Sequence, residues 1–184
     1  TTIADLADLR RQGWDIDIAA HLRRGGKVFG ICAGFQMLGQ GITDPEKSES
    51  DIASIEGLGH LGVATEMGGD KSLVEVAATS SQDFGSFTGY EMHIGKTIGP
   101  DSDQPFATID GRPAGAISKD GQIMGCYLHG LFADDVVRHA FLDYVRPRKG
   151  SGLAYDLQVE EALDVVAAAF EEALDIDGLI SAAG

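Results

Sequence analysis

Two thiols and five imidazoles carry most of the nucleophilic and proton-transfer chemistry open to this chain: Cys32 and Cys126, with His21, His60, His93, His129 and His139. Cys32 stands in VFGICAGFQMLGQG, residues 28–41, where an apolar run gives way to Gly30-Ile31-Cys32-Ala33-Gly34 and then to a helix-compatible stretch. G-x-C-x-G at a strand-to-helix turn has a physical purpose. So sharp a turn needs small neighbours, which Gly30, Ala33 and Gly34 supply, and it lifts the sulfur from the core toward solvent. The N–H of Ala33 then points to where an oxyanion would form, and the helix N-terminus favours the thiolate. The plainer alternative is that Cys32 is a small apolar residue closing a buried strand, as free cysteines commonly are. Cys126, inside QIMGCYLHG with no elbow after it, suits a core role better than a chemical one.

A thiol nucleophile needs a base, usually His. His21 and His139 fall on helical patterns among arginines and read as solvated surface, while His60 precedes a strand and is open to either reading. His93 and His129 sit in or at the end of glycine-rich strand patterns, where α/β folds place their sites. Cys126 and His129 are three apart, an odd offset that on one strand sends them to opposite faces; with no second ligand pair at zinc spacing, no metal site is expected. Glu91 and His93 are two apart and share a face, as a polar pair lining a cleft or as an exposed pair on an edge strand.

The elements that must hold these groups follow from the pattern. Residues 3–12 and 15–24 read as helices broken at Gly13, with Thr2 a possible N-cap. GGKVFGIC is a central parallel strand, AGFQMLGQG a helix stopping at Gly39 or Gly41, and TDPEKSESDIASIEG a polar loop. Strand candidates follow in HLGVATE, LVEVAAT, YEMHIGKTI, FATID, AGAIS and QIMGCYLHG, separated by turn residues. Residues 134–146 and about 156–176 are helical, the latter with Leu163, Val166, Ala167, Phe170 and Leu174 on one stripe. Helix–strand–helix, then many strands, then helices predicts an α/β sheet with an antiparallel addition.

Composition narrows the partners. With 14 Lys plus Arg against 29 Asp plus Glu, the net charge is −15, and no Lys, Arg or His follows Ser151. Nucleic acid and anionic membrane surfaces select basic patches and are not expected partners. Two cysteines form no disulfide framework and no apolar run approaches a membrane span, so a cytoplasmic location is expected. The length suits one domain. The chain does not begin with Met, and TTIAD reads as a helix start where a doubly wound sheet would have a strand before it, so further strands are expected upstream.

Three blocks together, GGKVFGICAGFQMLG, FTGYEMHIGKT and IMGCYLHGLF, resemble the glutamine amidotransferase domain of the cobyric acid synthases, a branch of the class I (triad-type) glutaminases; IEGLGHLGVATEM and the DKSL after it are also similar. The resemblance covers essentially the whole chain. It implies a three-layer, flavodoxin-like class I glutamine amidotransferase fold with a mixed sheet whose first strands lie before Thr1. It implies that Cys32 attacks the side-chain amide of glutamine, that His129 is base and then acid, that Ala33 provides half the oxyanion hole, and that Gln36 helps position glutamine. Glu91 and His93 are implied to lie near the catalytic cleft. Ammonia would pass to an ATP- and Mg-dependent synthetase domain upstream, which would amidate adenosylcobyrinic acid a,c-diamide in cobalamin biosynthesis; this chain itself is expected to hold no cofactor.

Two departures matter. Many class I glutaminases carry Glu two residues after the catalytic His, where this chain has Leu131; Glu91 is a candidate for the group that orients the imidazole. Ala33 stands where the family commonly has Gly, tolerable if φ there stays below zero. The other oxyanion donor is expected from upstream, so a protein beginning at Thr1 is expected to be poorly active. Rival readings share part of this: an a,c-diamide synthase, a glutaminase amidating a cell-wall precursor, a non-glutaminase cysteine hydrolase on the same elbow, or a catalytically silent scaffold.

Overall fold

A computed structural model of the chain describes residues 2–49, 51–69, 72–147 and 154–183. The chain folds as two compact units, 1–148 and 149–184, and each is taken by itself.

The first unit opens with α1 (Thr2–Arg11) and α2 (Trp14–Arg23), separated by Gly13 at φ 80°, a left-handed conformation open to glycine. Thr2 is the first helical residue rather than the cap: its hydroxyl donates to Gln36 Oε1 at 2.9 Å, a long-range bond that the local pattern could not reveal. Then come β1 (Val28–Ile31) and α3 (Ala33–Leu38), which ends at Gly39 as expected. The expected polar loop contains a strand: β2 (Gly41–Thr43) pairs antiparallel with β3 (Ser54–Glu56), register Ile42↔Ile55.

The remaining strands are β4 (Ala64–Glu66), β5 (Ser72–Ser80), β6 (Ser86–His93), β7 (Lys96–Ile98), β8 (Ala107–Ile109), β9 (Arg112–Ala114), β10 (Ala116–Ile117), β11 (Ile123–Cys126) and β12 (Leu128–His129). A short 3₁₀ turn spans Pro100–Asp103. The strands make three sheets: β1-β11-β10, β12-β6-β5-β8-β9 and β3-β2-β4-β7. Two of the anticipated strands are divided, YEMHIGKTI at Gly95 and QIMGCYLHG at Tyr127, and each break sends the chain into another sheet. β1, expected to be central, is the edge of its sheet among the described residues, running parallel to β11.

The main core lies between the β1 sheet, the five-stranded sheet and α4 (Asp135–Val145). Phe106, Met124, Leu128, Leu131 and Val137 are buried there. Phe29 anchors it, with ring centroids 5.0 Å from Phe106 and 5.2 Å from Phe141. Burying one such side chain stabilises by about 1.5–3 kcal/mol, so this cluster fixes the β1–β11 pair against β6 and β12. Asp134 caps α4 by accepting from the Val137 N–H at 3.0 Å.

The second unit is α5 (Tyr155–Ala173) followed by α6 (Ile176–Ala183). The expected single helix stops at Leu174, whose extended backbone separates the two. The stripe of Leu163, Val166, Phe170 and Leu174 is exposed.

Candidate active site

The parallel pairing of β1 with β11 ends at Ile31↔Cys126, and one more ladder bond, Cys32 N–H to the Cys126 carbonyl at 2.9 Å, carries it onto the cysteine. There the chain turns abruptly. Cys32 adopts φ 55° and ψ −115°, a conformation that costs an L-residue on the order of 1–3 kcal/mol and persists only where its surroundings over-determine it. Its carbonyl accepts from Phe35 and Gln36 at 3.0 and 3.2 Å, so α3 begins at once. The first-turn N–H groups of Ala33 and Gly34 have no intrahelical acceptor available to them.

Glycine is demanded at only one side of this elbow. A Cβ on Gly30 would lie 2.6 Å from both the Gly34 carbonyl oxygen and Leu38 Cδ1, because α3 packs directly on β1. A Cβ on Gly34 would meet nothing within 4 Å, so the small residue expected there answers no steric need. Ala33 is not among the described residues with positive φ, which is the condition for alanine to stand there.

The Cys32 thiol is half-buried and donates to the Met92 carbonyl in β6, with Sγ 3.6 Å from the oxygen. β12 brings His129 to the same stretch of β6. β12 pairs antiparallel with β6 in the register His129↔Tyr90 and Leu128↔Glu91. A Cβ on Gly89 would sit 2.2 Å from the His129 carbonyl oxygen, so glycine there is what lets β12 close in. The His129 and Tyr90 rings are stacked, centroids 5.0 Å apart and planes 6° from parallel. His129 Nε2 is buried and, among the described residues, has no hydrogen-bond partner. Thiol and imidazole are thus delivered to residues 90–92 of one strand by two different sheets.

Cys126 is sealed in the core, and burial pushes its thiol up to about 12, which removes it as a nucleophile at neutral pH. The odd-offset argument separating it from His129 does not apply, since the strand ends at Cys126 and His129 belongs to another sheet. Among the described residues no cluster of three His, Cys, Asp or Glu is disposed to hold a metal ion.

Glu91 and His93 do share a side of β6. Both line a cleft of about 200 Å³ together with Phe35, Lys96, Arg112 and Tyr127. Glu91 does not orient His129: its register partner is Leu128, one step away on the opposite pleat, and its carboxylate takes Arg112 Nη2 at 2.7 Å and Nη1 at 3.4 Å. His93 stacks on Tyr127, centroids 4.3 Å apart, and its Nδ1 lies 3.0 Å from the Gly95 carbonyl. Gln36 faces inward. It is 3% exposed, its amide oxygen accepts from Thr2, and its amide nitrogen donates to the Tyr127 hydroxyl at 3.1 Å and the Ile94 carbonyl at 3.3 Å. Gln36 ties α1 and α3 to the residues flanking β6.

Residues 1–137 match the family described as the CobB/CobQ-like glutamine amidotransferase domain. The chain belongs to that family. Cobyric acid synthase of Jannaschia sp. (strain CCS1) is 51% identical over 180 residues, 98% of this chain and 37% of the relative. That of Cereibacter sphaeroides (strain ATCC 17023) is 50% identical over 183 residues, 100% of this chain and 38% of the relative. The amidotransferase domain therefore spans well under half the length of the curated relatives it matches. A solved structure described as a glutamine amidotransferase aligns with TM-score 0.56 at 18% identity, covering 79% of this chain and 74% of its own. The structure of PurLQS from Thermotoga maritima aligns with TM-score 0.50 at 17% identity, covering 72% and 68%. At these identities the likeness is one of fold, and the fold shared with the first is that of a glutamine amidotransferase. No helix among the described residues is long and apolar enough to cross a membrane.

Three contributors to the amidotransferase site were missed in the sequence. Tyr90 sits inside the quoted GYEMH block, and strand alternation alone would have placed it on the face opposite Glu91 and His93. Arg112 stands 21 residues from Glu91 and the Met92 carbonyl 60 residues from Cys32, separations over which no local spacing rule operates.

Proposed function

We propose that this chain is the glutaminase part of a cobyric acid synthase, releasing ammonia from glutamine for an ATP-dependent amidation in cobalamin biosynthesis. Cys32 Sγ attacks the side-chain amide carbon of glutamine as its proton passes to His129. The N–H of Ala33 donates to the oxygen of the tetrahedral intermediate, one half of an oxyanion hole. As the C–N bond breaks, His129 returns the proton to the departing nitrogen, which leaves as ammonia. Water, deprotonated by the same imidazole, then hydrolyses the thioester to glutamate and restores the thiol.

The observation that carries this reading is the strained elbow: φ 55° at Cys32, half-buried and facing the strand on which His129 is seated, in a member of this amidotransferase family. A cysteine that merely closed a strand would have no reason to hold that conformation. ATP, Mg²⁺ and the corrinoid acceptor, adenosylcobyrinic acid a,c-diamide, belong in this reading to the rest of the polypeptide, in the cytoplasm. No residue of this chain is assigned to them.

The test is active-site labelling with a glutamine-analogue electrophile, read by peptide mapping. One adduct at Cys32, suppressed by excess glutamine and abolished in Cys32→Ser, is the expected result. Adducts that glutamine does not suppress would point to another cysteine hydrolase, and a folded protein with no adduct would be a scaffold.

A further inference from the structure

An imidazole that shuttles a proton must be held against rotation about its χ2 bond, and in many triads a carboxylate does this. Here the usual candidates are accounted for. The residue two after His129 is Leu131, buried in the core. Glu91 lies on the other pleat and is engaged by Arg112. His129 Nε2 is buried with no partner among the described residues. Among the described residues the ring's directed contact is on its face, with Tyr90.

Resting on the function proposed above, we infer that Tyr90 is the positioning residue for His129: its ring fixes the plane of the imidazole by stacking and stabilises the imidazolium that forms when Cys32 gives up its proton. Parallel rings with centroids 5.0 Å apart are slipped rather than eclipsed, the arrangement aromatic quadrupoles favour. The negative face of the phenol ring attracts a cation above it, so the contact strengthens as the imidazole charges. That is the electrostatic service a carboxylate would perform, delivered through the ring face instead of an edge nitrogen. The backbone is built for it, since Gly89 admits β12 to close range and the register sets Tyr90 directly opposite His129. On the far side of Tyr90 the β5 register places Glu75 opposite it, while Glu91, with Arg112 on its carboxylate, is on the reverse pleat.

The variants are Tyr90→Phe, which keeps the ring, and Tyr90→Leu, which keeps bulk without it. Tyr90→Thr is a second ring-free variant that suits an exposed strand position if the leucine form folds poorly. The readout is the rate of Cys32 alkylation by iodoacetamide as a function of pH, in the full chain, with thermal unfolding followed in parallel. Loss of the ring face should slow alkylation at pH 7 by about two- to thirtyfold. It should also move the acid limb of the profile to higher pH, because a less stable imidazolium holds the thiolate less well. Tyr90→Phe should restore the wild-type profile. A Tyr90→Leu profile that overlays wild type overturns the inference, as does a Tyr90→Phe profile displaced as far as that of leucine. Alkylation needs no glutamine, so a protein that passes this test and yet releases no ammonia would sink the glutaminase reading alone.

Discussion

Gly30 and Gly34 flank Cys32 symmetrically in the sequence, yet the structure predicts opposite responses to the same methyl group. In Gly30→Ala the added carbon falls 2.6 Å from the Gly34 carbonyl oxygen and 2.6 Å from Leu38 Cδ1, and the first of these is helix backbone that cannot rotate away. Either α3 lifts from β1 or the strand bends. Overpacking of this kind costs about 1–3 kcal/mol. For a unit of this size each kcal/mol moves the midpoint by roughly 2–4 °C, so the melting temperature should fall by about 2–12 °C. In Gly34→Ala the added carbon meets nothing within 4 Å and replaces a poor helix former, which is worth up to about 1 kcal/mol and a rise of a few degrees. Lifting α3 also displaces the sulfur it carries. A shift of about 1 Å can cost on the order of a hundredfold in rate, so Gly30→Ala should lose Cys32 alkylation far beyond what its stability loss explains. The assay is circular-dichroism melting of both variants beside the alkylation rate. Equal destabilisation by the two alanines, or a Gly30→Ala protein as stable as wild type, would refute this account of the elbow.

Two further outcomes follow from buried ionisable groups. Cys126 is neutral in the fold until about pH 12 but ionises near its ordinary value of 9.0 once unfolded, so its stabilising contribution is complete below about pH 9 and is lost between there and about 12; Cys126→Ala should flatten the alkaline decline in the urea midpoint. Glu91 is 12% exposed at its side chain and Arg112 54%, so Arg112→Ala should cost about 1–2 kcal/mol, and a double-mutant cycle with Glu91→Gln should show that the two costs do not add. Strictly additive costs in denaturant unfolding would mean the pair is not coupled.

What was legible in the sequence was local. The elbow could be read because its requirement, small residues about a cysteine at a strand-to-helix turn, lies within five positions. The breaks at Gly95 and Tyr127 were not, because a single strand and two short strands entering different sheets have the same apolar pattern. The burial of Gln36 was not legible for a related reason: its partners Thr2 and Tyr127 lie 34 and 91 residues away, and only tertiary contact turns the amide inward. Glu91 shows the opposite case. Alternation correctly put it with His93, and the same alternation, carried one residue back to Tyr90, already separates it from the face on which His129 is seated.

The segment Gly89–His93 brings the parts of this site together. Gly89 sets how near β12 can come, Tyr90 takes the imidazole, Met92 offers its carbonyl to the sulfur, and Glu91 and His93 turn to the cleft behind. Each role depends on parity along one strand. A slip of one residue in the β6–β12 register would carry the β12 side chains to the opposite faces, bringing His129 against Glu91 and away from Tyr90. The buried Leu128, held opposite Glu91 by the Phe106 cluster, opposes that slip, since moving it would expose a core side chain at a cost of about 2 kcal/mol. Core packing on one pleat thereby enforces the placement of His129 on the other, which is how an imidazole with no carboxylate on it among the described residues can still hold a defined geometry.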